Sequence, residues 1–167
     1  MSAHVHSHAG PDAGPSLNRL AFSATVHCLT GCAIGEVLGM IVGTALGWSN
    51  AATIAASILL AFFFGYGLTS LPLLRSGMSV RQAAPLAFAS DTASIATMEV
   101  VDNLFIVLVP GALAAGLDTA LFWWSLIVSL LIAGAVAFPL NRWLIARGKG
   151  HAVMHAHHGT ASAARPS

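Results

Sequence analysis

Apolar residues dominate four stretches of this chain, near residues 20–47, 51–74, 83–109 and 120–145, separated by short polar segments. Each reaches or exceeds the ~20 residues that an α-helix needs to cross the hydrocarbon core of a bilayer. Within the first stretch, two stripes recur at four-residue steps. Gly31, Gly35, Gly39, Gly43 and Gly47 form one, and Cys28, Cys32, Glu36 and Met40 form the other; the two lie about 60° apart around a helix. Ile34, Val37, Leu38, Ile41 and Val42 take the opposite side and read as a lipid-facing surface. Glycine stripes let helix backbones approach closely in lipid, so this one predicts tight packing, within a bundle or between protomers. In the third stretch Asp91, Ser94, Met98 and Asp102 share a face, with Glu99 and Asn103 beside it. The start of that stretch is ambiguous. Ser90-Asp91-Thr92 has the composition of a helix cap, which would leave residues 80–89, with Pro85, as a short interfacial helix.

Composition fixes the class. Of 167 residues, 56% are hydrophobic and 8% charged, against about 25% charged in soluble domains. The reading is an all-α, polytopic membrane four-helix bundle over residues 19–147. It is flanked by a histidine-containing N-terminal tail, 1–18, and a histidine-rich C-terminal tail, 148–167, both expected to be disordered. A net charge of +1 gives no reason to expect a nucleic-acid partner. Arg19 precedes the first span, Arg75 and Arg81 separate the second and third, and Arg142, Arg147 and Lys149 cluster at the end of the fourth. The positive-inside rule then places both termini in the cytoplasm of a multi-pass protein of the inner membrane.

The charge that remains is unbalanced. Glu36, Asp91, Glu99 and Asp102 fall inside or at the edge of the spans, where no Lys or Arg accompanies them and His27 is the only basic side chain. An unpaired charge at mid-membrane costs roughly 2.5–3.5 kcal/mol on insertion scales. These acids must therefore be protonated, share hydrogen bonds or hold a cation. Parallel first and third spans would set Cys28 level with Asp91, Glu36 with Glu99, and Met40 near Asp102 and Asn103.

Two thiols, two thioethers and several carboxyls on these two helices suit a transition metal, copper before zinc. The candidate ligands are Cys28, Cys32, Glu36, Met40, Met98, Glu99, Asp102 and His27. A proton relay through Asp91, Glu99 and Asp102 is the rival. His4, His6, His8, His151, His155, His157 and His158 make both tails candidates for metal capture. The expected function is binding or transport of a transition-metal ion; a proton-coupled small-solute carrier and an accessory subunit of a larger membrane complex are the alternatives. A homo-oligomer through Gly31–Gly47 is the expected assembly. No HExxH or serine–histidine–acid grouping suggests an enzyme.

The strings HCLTGCAIGEVLGM (27–40), PLLRSGM (72–78), DTASIATMEVVDN (91–103) and RGKGHAVMH (147–155) resemble an uncharacterised family of small bacterial four-helix integral membrane proteins. The resemblance covers about residues 20–155. It implies a four-helix membrane domain and a loose association with heavy-metal or copper handling, and supplies no substrate.

Overall fold

The structure, a computed structural model, describes residues 16–147. Four long helices, α1 (Leu17–Ala45), α2 (Asn50–Arg75), α3 (Val80–Leu108) and α4 (Ala120–Ala146), are joined by short turns, with a 3-10 turn at Ala112–Ala114 before α4. Local chemistry sets the ends. Ser49 and Thr119 accept bonds from the Ala52 and Phe122 amides at 3.4 and 3.3 Å, which satisfies first-turn donors that have no intrahelical partner. Gln82 Oε1 accepts from both the amide and the hydroxyl of Ser79 at the start of α3. At the end of α1, Gly47 takes φ +64° while its amide bonds to Thr44 O and that of Trp48 to Gly43 O. This is a Schellman stop, and glycine carries no Cβ penalty there.

α1 packs on α2 and α4, α3 packs on the same two, and α1 meets α3 across the axis. The closest contact is α1 on α2. A Cβ added at Gly31 would stand 2.8 Å from Gly65 Cα, and one at Gly35, Gly39 or Gly43 would overlap Ala61, Ser57 or Thr53. The glycine stripe is thus consumed inside the protomer. That corrects two expectations. The stripe is not free to form a dimer, and Gly47 is no part of it, since nothing lies within 4 Å of the Cβ it would carry.

The bundle is polar inside and apolar outside. Thr25, Glu36, Ser57, Thr69, Asp91, Glu99, Asp102, Ser129 and Asn141 are buried, while Phe22, Leu59, Phe63, Val100, Leu104, Val107, Trp124 and Leu131 are exposed. In water such a surface would be an aggregation hazard. In a bilayer it is the surface that lipid requires, with most backbone polar groups paired within the helices. α1, α2 and α4 are each long and apolar enough to cross a membrane.

α3 does not reach that standard, although the sequence reading assigned four spans. It has the same 29 residues as α1 but carries Arg81, Asp91, Glu99 and Asp102. The three acids are buried, and the outward positions Val100, Leu104, Val107 and Leu108 are apolar. The interfacial helix expected over 80–89 is absent. α3 runs unbroken from Val80, with Asp91 in its middle. Pro85 removes only one ladder bond close to the helix end, and burial of Ala83, Ala87, Ser90 and Asp91 against the bundle overrides the capping preference of Ser and Asp.

Gly35→Leu should therefore lower the thermal midpoint of the purified protein in detergent, by an overpacking loss of about 1–3 kcal/mol. Gly67→Leu, at a site with open space around it, should leave it unchanged. Thermal unfolding of both variants checks the pair.

Candidate functional site

α1 and α3 run parallel, so matching steps along them meet at matching depths. Nearest the Arg19 end, Cys28 faces Asp91 and Ser94. One turn on, Cys32 faces Glu99, with Asp102 close by. One turn further, the Glu36 carboxyl lies beside that of Asp102, within electrostatic range of Glu99. Ile95, Met98, Ala61, Ala133 and Ala137 fill the space around the two thiols. Both cysteines are free.

The three acids of the middle levels are hidden: Glu36 is 7% exposed, Glu99 4% and Asp102 1%. Their hydrogen bonding is incomplete. Glu36 Oε1, Glu99 Oε1 and both Asp102 oxygens have no hydrogen-bond partner among the described residues. Glu99 Oε2 accepts from the Asn103 amide at 3.5 Å. Ser129 stands near Asp102, but its hydroxyl donates to Leu126 O at 2.9 Å. Asp91 accepts from the Ser90 hydroxyl at 2.8 Å. The described arginines, at 19, 75, 81, 142 and 147, lie at helix ends and not at the depth of Glu36, Glu99 and Asp102.

The other candidates separate from this cluster. His27 Nε2 lies 3.0 Å from Thr69 Oγ1 on α2, an interhelical bond of the kind that fixes helix register. Asn141 donates to Thr25 Oγ1 at 2.9 Å, tying α4 to α1 near the same end. Met40 lies past the acids, packed toward Phe122 and Leu126. Met98 is fully buried beside the thiols. From Cys28 to Met40 is ~18 Å along the axis at 1.5 Å per residue, too far for one ion to reach all eight proposed ligands. Among the described residues, no three His, Cys, Asp or Glu side chains are grouped so as to hold a metal ion. The tail histidines at 4, 6, 8, 151, 155, 157 and 158 lie outside the described residues.

Beyond Glu36 a cavity of about 290 Å³ leads to the bundle end formed by Gly47, Trp48, Asn50 and the 112–116 turn. Thr53 and Ser57 of α2 and Ser125 of α4 line it. Neither α2 nor α4 offers a candidate ligand by sequence, their only charged residues, Arg75 and Arg142, standing near helix ends. Their signal is periodic. Thr53, Ser57, Ala61, Gly65 and Thr69 recur every fourth residue on α2, as do Ser125, Ser129, Ala133, Ala137 and Asn141 on α4, and all ten are buried.

Chemically, the arrangement is a ladder of ionisable side chains along the axis, with the Glu36 and Asp102 carboxyls side by side.

Residues 18–150 match the family model described as Domain of unknown function (DUF4396), and the chain belongs to that family. No curated protein and no solved structure matches it.

If the acids served only to fix helix register, removing one would cost stability. Interhelical hydrogen bonds in membranes average about 0.6 kcal/mol, and Asp102 makes none with either oxygen. Asp102→Asn should therefore unfold within about 1 kcal/mol of wild type in detergent, measured by thermal or denaturant titration. Asn141→Leu, which breaks the bond to Thr25, should cost at least as much.

Proposed function

We propose that this protein moves a small cation through the membrane, a proton in the first instance, with Glu36, Asp102 and Glu99 as the charge-carrying site. One observation carries the reading: three carboxyls from two helices follow one another inside the bundle with incomplete hydrogen bonding, and no described Arg sits at their depth. A buried acid without a fixed partner is expensive and is found where ions or protons pass. The ladder geometry suits a relay, since each step joins groups about one helical turn apart. A proton-coupled carrier of a small solute uses such a relay.

A second reading makes a transition-metal ion, copper before zinc, the cargo. It is supported by Cys28, Cys32 and Met98, which share one buried cluster next to the acids; thiols and thioethers select soft ions. In this reading the donors serve in succession along the ladder, because they do not converge on one point. The charge rule puts both histidine tails in the cytoplasm, where they would capture or release the ion.

Proteoliposomes enclosing a pH-sensitive dye, with an imposed potential, test the first reading. Wild type should pass protons faster than protein-free liposomes, and Asp102→Asn and Glu36→Gln should fall to the protein-free rate. Equal rates for wild type and both variants contradict it. For the second reading, protein purified without chelator should carry copper or zinc by elemental analysis and lose it in Cys28→Ser with Cys32→Ser. Metal-free wild type that binds no added copper or zinc contradicts that reading.

A further inference from the structure

The cation-site reading leaves open how an ion reaches acids buried this deeply. Two observations bear on it. The cavity beyond Glu36 extends to one end of the bundle, where Trp48 and Asn50 are exposed. Its volume of about 290 Å³ leaves room for several water molecules. Glu36, more than nine-tenths buried, forms part of its wall, and Oε1 of that carboxyl has no hydrogen-bond partner among the described residues. On the other side of the acids the axis is packed. Cys28, Cys32, Ile95, Met98, Ala133 and Ala137 are all at most 2% exposed, and Ala21, Ala24 and Ile145 form a further buried cluster near the arginine end.

The donors along the cavity are oxygen-based. Thr44, Thr53, Ser57, Ser125 and Asn103 contribute hydroxyls and an amide, and Glu36 a carboxyl; Met40 is the one soft donor. Hydroxyl, carbonyl and carboxylate oxygens suit hard, hydrated cations, whereas the thiols that suit soft ones lie beyond the acids.

We propose that this cavity is the entry vestibule of the Glu36–Asp102–Glu99 site, open at the end opposite the arginines and admitting a small hard monovalent cation, hydronium or an alkali-metal ion, which meets these carboxyls one or two at a time because no three of them group around one point. The proposal rests on the acid cluster acting as a cation site. It adds the side of entry, the route and the class of ion.

Cysteine accessibility in proteoliposomes tests it. Thr44→Cys and Thr53→Cys are placed in a Cys28→Ser, Cys32→Ser background, and a membrane-impermeant cationic thiol reagent is added from either side. Arg81→Cys marks the arginine side, and Ala137→Cys reports the packed half. Both cavity cysteines should react from the side opposite to Arg81→Cys, and Ala137→Cys from neither. Reaction should stop uptake of protons, read by enclosed dye, or of radioactive sodium, read by filtration; which of the two stops identifies the ion. Thr44 is exposed, so that variant keeps the test intact should Thr53→Cys fail to fold. Failure of both cavity cysteines to react, reaction from the arginine side, or reaction that leaves both uptakes unchanged would overturn the vestibule. Loss of silver-ion uptake alone would overturn the ion class. Labelling needs no transport, so a wild type without any cation uptake but with the expected labelling defeats the cation-site reading, and the vestibule as its entry with it, in a way distinct from a failure to label.

Discussion

Every helix here turns a stripe of small or polar residues inward at four-residue intervals, and the rest of the structure depends on that. In lipid, burying a leucine gains nothing over leaving it in contact with acyl chains. What brings helices together is close backbone approach and the shelter of polar groups. Gly31, Gly35, Gly39 and Gly43 supply the first against α2, and no larger residue fits there without displacing backbone or Ser57 and Thr53. Thr25 with Asn141, His27 with Thr69 and Tyr66 with Thr92 supply the second. The apolar bulk of Phe63, Leu104 and Leu131 is left outside, facing the solvent that tolerates it.

That packing rule makes the acids conspicuous. Thr25, Ser125, Ser129 and Asn141 inside the bundle bond to a backbone carbonyl or to a neighbouring helix, each at a small gain. Among the described residues neither oxygen of Asp102 has a hydrogen-bond partner, and Glu36 and Glu99 each leave one oxygen unmatched. A bundle selected for stability alone would hold serine or alanine at these positions, as α4 does at Ser129 and Ala133 facing the same axis. The cost is concentrated on two helices, at depths that match. Of these acids Glu36 forms part of the cavity wall, and the cluster adjoins the two thiols. The acids thus lie between the cavity on one side and the packed layer of thiols, Ile95 and Met98 on the other.

The sequence revealed the bundle more fully than the site. Hydropathy alone put all four helices within three residues of their observed ends, because spans longer than the hydrocarbon core leave little freedom. The face carrying Cys28, Cys32 and Glu36 is legible from four-residue spacing, and the excess of acids over bases in the spans from a simple count. Spacing reveals which face a residue occupies but not what lies opposite. The partner of the glycine stripe, α2 and not a second protomer, was therefore hidden. So was the contribution of Ser57 and Thr53, whose hydroxyls are individually weak signals on a helix whose one charge, Arg75, lies at its end. Ser90-Asp91 misled for a related reason. Local capping preference is a matter of about 1 kcal/mol, and burial of the flanking alanines decides the backbone there.

The central claim is that Glu99 and Asp102 on α3 face the bundle axis while the other side of α3 faces lipid. Solid-state NMR of isotope-labelled protein in bilayers, with magnetisation transferred from lipid acyl chains, tests it without any mutation. Val100, Leu104 and Val107 should receive acyl-chain signal, and Ser94, Met98 and Asp102 should receive none. Acyl-chain signal at Met98 with bulk-water signal at Asp102, and none from lipid at Val100 and Leu104, would contradict the account.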